Sequence, residues 1–150
     1  MKFEQTVSVK ATPEKLWAFL MDVPAVGSCI PGVQEVEDLG EGNYKGVMRV
    51  KVGPIGLSLS GKLTMEDINE AAHSGTMVAE ATDRRVAGGV RVRMAMQLVP
   101  QDAETTDLVI ETETTFMGKL GEFGQPIIRR KADGQMKEFA KNLQAKVGGS

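Results

Sequence analysis

The sequence predicts one α+β domain: a curved, largely antiparallel sheet of about seven strands around a long C-terminal helix, with two short helices after the first strand. Three observations predict it. Apolar residues alternate with polar ones through most of the stretch from Val33 to Phe116. After Gly118 the apolar spacing switches to three and four residues. No internal repeat, linker or low-complexity tract divides the 150 residues.

The elements follow in order. Phe3, Val7 and Val9 alternate with polar neighbours and mark a first strand. Thr12-Pro13-Glu14 supplies an N-cap and a proline at the first helical position, before the apolar face Leu16, Trp17, Phe19, Leu20. Asp22-Val23-Pro24 breaks that helix and caps a second short one, ending near Cys29-Ile30-Pro31-Gly32. Tyr44, Met48, Val50 and Val52 then share one face, and Gly53-Pro54 turns the chain. Ile55, Leu57, Leu59, Leu63 and Met65 continue the inward set, followed by Met77, Ala79 and Ala81. Val90, Val92, Met94, Met96 and Leu98 form the clearest strand, and Leu108, Ile110, Thr112, Thr114 and Phe116 the last one. From Leu120 the residues Phe123, Ile127, Ile128, Met136, Phe139 and Leu143 describe an amphipathic helix of some 25 residues. A domain over 1–147 with a disordered tail at 148–150 is the expected organisation.

A chain of this size buries roughly 70% of its unfolded surface, enough for a core and a cavity within it. The net charge of −2 and pI near 5.5 argue against broad phosphate neutralisation, so no nucleic-acid partner is expected. One cysteine, no signal-like N-terminus and no long apolar run point to a cytoplasmic protein, any membrane contact being peripheral at the inner face.

Catalytic chemistry finds little support. His73 and Cys29 are the only residues of their kinds, too few for a zinc site. His73 reads as a solvated turn residue, and Cys29 as a buried thiol among apolar neighbours. Gly53-Pro54-Ile55-Gly56 and Gly88-Gly89 lack the Lys-Ser/Thr ending of a phosphate loop and read as turns or bends. Glu66, Glu111 and Glu113 read as solvated carboxylates, and Arg91 and Arg93 as outer-face residues balanced by acids on adjacent strands. No metal and no catalytic residue is assigned. The stretch Lys119–Lys146 carries +4, leaving −6 for the rest of the chain. Its apolar stripe is expected to cover the sheet, leaving Arg129, Arg130, Lys131, Lys137 and Lys141 as a basic edge for a partner or a membrane.

Nine methionines outnumber the seven aromatic residues, and Met48, Met65, Met77, Met94, Met96 and Met136 fall on inward faces. Flexible, polarizable methionine suits a pocket for an apolar group, though it also fills gaps in an aromatic-poor core. Both readings stay open. Thr112 and Thr114 are either polar anchors for a ligand or partners of one another.

The segment Ala11-Thr12-Pro13-Glu14-Lys15-Leu16-Trp17 resembles the opening of the START-like (SRPBCC) helix-grip superfamily. Ile30-Pro31-Gly32-Val33 with Val36-Glu37, Tyr44-Lys45-Gly46 leading to Val52-Gly53-Pro54-Ile55 and Gly61, and Gly118-Lys119-Leu120-Gly121 together resemble the CoxG family of carbon monoxide dehydrogenase subunits, over Met1 to Val147. The resemblance implies a helix-grip fold and a non-catalytic accessory protein of a molybdenum hydroxylase of the CO dehydrogenase type. It also implies a lipophilic ligand such as a quinone in the cavity, and a role in bringing the enzyme to the membrane. Some members end in a membrane-associating tail; this sequence ends at Lys146-Val147-Gly148-Gly149-Ser150, so either membrane contact is made through surface residues or a tail lies beyond this sequence.

The expected cavity is lined by Met48, Leu59, Leu63, Met77, Val90, Met94, Phe116, Phe123, Ile127 and Ile128. Its expected entrance lies at Ile30, Pro31, Gly53, Pro54 and Leu120. Two rivals are a small cyclase- or hydrolase-like enzyme on the same fold and a docking protein with a filled core.

Overall fold

The computed structural model describes residues 1–148; of the expected tail, 149 and 150 lie outside the described residues. The chain runs β1 (Lys2–Val9), α1 (Pro13–Leu20), α2 (Val23–Gly27), β2 (Val33–Gly40), β3 (Asn43–Val52), β4 (Ile55–Asn69), β5 (Ser74–Asp83), β6 (Gly88–Pro100), β7 (Thr106–Gly118) and α3 (Gln125–Val147). A 3-10 turn, Lys119–Glu122, leads from β7 toward α3. The seven strands form one antiparallel sheet in the order β1-β7-β6-β5-β4-β3-β2, so a meander runs from β2 to β7 and β1 closes the far edge.

Local chemistry sets the boundaries. Thr12 Oγ1 accepts from Lys15 N at 3.2 Å and Asp22 Oδ1 from Ala25 N at 3.3 Å, so both short helices start at the capping residues read from the sequence. In β6 the burial alternates residue by residue from Val90 to Leu98, with Arg91, Arg93 and Gln97 exposed. Arg91 pairs with Glu80 at 3.2 Å and Arg93 with Glu66 at 3.7 Å, the cross-strand balance expected of an outer face.

Two boundaries differ from the sequence reading. The last helix begins at Gln125, not near Leu120: Phe123 and Gly124 are extended, and Pro126 sits in the first helical turn, where its missing N–H leaves no bond unmade. Gly148 belongs to the helix end: its N–H donates to Gln144 O at 2.8 Å.

The core is lopsided. Val7, Val9, Leu16, Trp17, Leu20, Cys29, Leu98, Leu108, Phe139, Leu143 and Val147 form one buried cluster at the end of the sheet where β1 finishes and β7 starts. We call this the packed end. His73 belongs to it, lying 5.3 Å from the Trp17 ring and half-buried, so it covers the core and is not the solvated turn residue expected. Cys29 is fully buried, as its neighbours suggested. At the opposite end lie the β3–β4 turn, the β5–β6 turn and the link from β7 to α3.

Candidate functional site

Strand register brings the inward residues into rows across the sheet. Met65, Met77, Met94 and Thr112 form one row, Tyr44, Leu63, Ala79 and Val92 the next, and Gly46, Gly61, Ala81, Val90 and Phe116 a third. The third row is small at its centre. A Cβ on Gly61 would collide with the Glu80 carbonyl, so the chains approach too closely there for any larger residue. Glycine and alanine in mid-sheet leave a concave floor facing α3.

Nine of the ten expected cavity residues are neither fully buried nor exposed. Met48, Leu59, Leu63, Met77, Val90, Met94, Phe116, Phe123 and Ile128 are all half-buried. Their exposure contrasts with the cluster at the packed end, against which only Met94 of the nine packs. Seven of the nine lie on the inward face of the sheet, Phe123 lies in the link before α3, and Ile128 lies in the first turn of α3. Ile127 is the exception. It is 44% exposed and lies one helical step outside the inward stripe Ile128, Ala132, Met136, Phe139, where it lines a separate cleft of about 590 Å³ with Gly53, Arg130, Lys131, Gln135 and Glu138.

The expected entrance residues do not share one place: Ile30 packs against the core cluster of the packed end, whereas Pro31 and Gly53 lie beside Gln135 of α3. Gln135 Nε2 donates to Pro31 O at 3.0 Å, and Asn142 Nδ2 to Cys29 O at 3.0 Å, which tie α3 to the α2–β2 link. Gly32 sits at φ +90° with its carbonyl accepting Arg49 N at 2.8 Å, a close approach that a side chain would block. Gly53 and Pro54 are exposed beside the first half of α3. Leu120 corrects the expectation. It is only 3% exposed and packs against Gly88, so it seals the wall and is not a lip of the opening.

The expected basic edge divides. Arg130, Lys137 and Lys141 form one exposed stripe at helical spacing, roughly 16 Å long. Arg129 is turned away: its guanidinium lies 5.2 Å from the Phe3 ring centroid and donates to Lys2 O at 3.4 Å. Lys131 is half-buried in the cleft beside Glu138.

One family comparison decides the family. The model for the carbon monoxide dehydrogenase protein CoxG matches residues 6–148. The chain belongs to the CoxG family. No curated protein matches it. Among solved structures, this CoxG chain is similar to a conserved protein from Geobacillus kaustophilus at TM-score 0.89 and 22% identity, covering 98% of this chain and 95% of that one. It is also similar to a START superfamily protein from Mycobacterium smegmatis at TM-score 0.72 and 14% identity, covering 97% and 96%. The Zhui aromatase/cyclase of a Streptomyces species follows at TM-score 0.71 and 16% identity, covering 98% and 93%. At these identities the likeness is one of fold, and the fold is the helix-grip arrangement of START-like domains.

Within this CoxG chain, sequence reasoning put Tyr44 on the inward face without a polar role and did not foresee that Asp83 is buried. Tyr44 stands in the second row, half-buried; burial first, and the carboxylates of Asp38 and Asp22 next, raise its pKa above the ordinary phenol value. Its hydroxyl is therefore protonated at neutral pH and can donate. Asp83 is 3% exposed and accepts from Ser58 N at 2.7 Å and Arg85 N at 2.9 Å, with the Arg85 guanidinium 3.5 Å away. The Ser58 N–H leads the effects that hold its carboxyl below the usual carboxylate range. Asp83 thus pins β4 to the β5–β6 turn as a carboxylate. Thr114 is spent on the N-terminus, its carbonyl accepting from the Met1 ammonium at 2.7 Å and its hydroxyl donating to Met1 O at 3.3 Å. It does not bond to Thr112, the alternative read from the sequence.

Proposed function

We propose that this CoxG-family chain is a non-catalytic carrier and docking protein. It holds a lipophilic ligand of the quinone class in an apolar groove between the sheet and the first half of α3, and links a molybdenum hydroxylase of the CO dehydrogenase type to the membrane. The family supports an accessory role, and the START-like fold supports ligand binding. The observation that carries the reading is the row of large apolar side chains that the sheet and α3 leave half-covered around a floor of Gly61, Ala79 and Ala81. Burying an isoprenoid tail there at roughly 25 cal/mol per Å² supplies affinity without a charged contact. Tyr44 is positioned to donate a hydrogen bond to a carbonyl of the head group. Neither Tyr44 nor Asp83 is paired with an inward base, which favours the carrier over the cyclase-like rival.

The test is a titration of the purified chain with a short-chain quinone, followed by calorimetry. We expect saturable one-to-one binding, and a loss of about tenfold or more (about 1.4 kcal/mol) when Ala81→Phe fills the floor. Binding that is unchanged by Ala81→Phe rules the groove out as the binding site.

A further inference from the structure

Topology sorts the charges of this chain by end. The turns at the packed end, β2–β3, β4–β5 and β6–β7, carry Glu41, Asp67, Glu70, Asp102 and Glu104, all exposed. The loops and element ends at the open end carry Arg84, Arg85 and Lys119, with Lys51 at the end of β3 and Arg130 in the first turns of α3, also exposed, and Glu122 as the exposed acid of the link from β7 to α3. Among the described residues Lys51, Arg84, Lys119 and Arg130 take part in no ion pair, while Arg85 is held by Asp83. The nearly neutral total therefore hides a contrast between the acidic strand turns of the packed end, beside which Lys10, Lys15 and Lys146 are also exposed, and the basic rim of the open end.

The same end carries apolar tips. Ile55 is 37% exposed at the β3–β4 turn beside exposed Pro54, and Ile127 is 44% exposed at the start of α3 beside exposed Pro126. Apolar tips projecting from a basic, acid-poor rim match the two terms that hold a peripheral protein on an anionic bilayer, shallow insertion and attraction to lipid phosphate. An acidic protein surface would satisfy the rim but leave Ile55 and Ile127 without a partner.

We propose that the open end is the surface by which the chain rests on an anionic lipid bilayer, with the mouth of the groove facing the membrane. This deepens the carrier reading and rests on it for the purpose of the mouth. It differs from contact along the outer edge of α3, because Lys51, Arg84 and Lys119 lie off that helix.

Co-sedimentation of the whole chain with phosphatidylcholine vesicles, with and without phosphatidylglycerol, tests it. The wild type is expected on the anionic vesicles and not on the neutral ones, and to be released by salt. The variant Lys51→Glu/Arg84→Glu/Lys119→Glu is expected to lose partitioning on the order of a hundredfold. Lys10→Glu/Lys15→Glu/Lys146→Glu makes the same net-charge change at the other end and is expected to bind within a few-fold of wild type. Equal loss in both variants, or no wild-type binding to anionic vesicles, overturns the proposal. Quinone titration of the same variants in solution keeps the two ideas apart: unchanged uptake with failed sedimentation removes only the membrane face, whereas sedimentation with no uptake removes only the carrier.

Discussion

Toward the packed end, α3 sets Phe139, Leu143 and Val147 against Val9, Leu16, Trp17 and Leu108, and neither Leu16 nor Leu143 has exposed surface. Toward the open end, Ile128 on the same helix stays half-buried, and one inward row of the sheet has Gly46, Gly61 and Ala81 at its centre. The two ends are unequally buried. A docking protein with a solid core would fill both. The difference teaches that the packing that holds the fold is concentrated at one end of the strands, and the proposed binding is assigned to the other.

That division can be broken most severely at the packed end. Leu143→Ala is expected to cost about 2–5 kcal/mol of unfolding free energy, since it opens a cavity among residues that cannot close on it. Urea denaturation measures it. Met77→Ala, the matching truncation in the groove, is expected to cost less than about 1 kcal/mol, because a half-buried side chain has less transfer energy to lose. Equal losses at the two sites would erase the contrast.

Asp83 sharpens the contrast at the junction. Its folded-state pKa lies below the ordinary value, so its contribution to stability is present above that ordinary value and is lost as pH falls through the lower, folded one. Asp83→Asn is expected to lower stability at neutral pH by less than Leu143→Ala, and to flatten the stability profile in the acid range. Unfolding curves across pH test both. Thr12→Ala, which removes the cap of α1 beside the core, is expected to cost about 1 kcal/mol. The smallest expected effect is Tyr44→Phe: little change in unfolding, and a few-fold weaker quinone binding from one lost hydrogen bond of about 0.5–1.5 kcal/mol.

The fold was legible in the sequence because its signals are local. Alternation places Val90 to Leu98 on a strand, and Thr12 and Asp22 start their helices by side-chain geometry that depends on three residues. The site was legible only in outline. Inward parity correctly groups Met48, Leu59, Leu63 and Met77 on one face, but depth along a strand depends on what lies opposite, and periodicity carries no such information. Ile127 and Ile128 look equivalent until the phase of α3 is set by Phe139, Leu143 and Val147 further along. Arg129 meeting Phe3, and His73 covering Trp17, join residues far apart in the chain that nothing local connects. One local signal was available and unused. Gly61, Ala79 and Ala81 lie among inward positions, and small residues inside a sheet mark a floor with room above it.

If the open end is space for a lipophilic molecule, the molecule should be recoverable from it. Mass spectrometry of an organic extract tests this most directly, using gently purified chain before and after incubation with quinone-loaded vesicles. We expect a prenylated quinone, or another lipid of that class, at about one per chain, and far less in Ala81→Phe. A clean extract in both conditions would contradict the carrier function and leave a protein that docks without cargo.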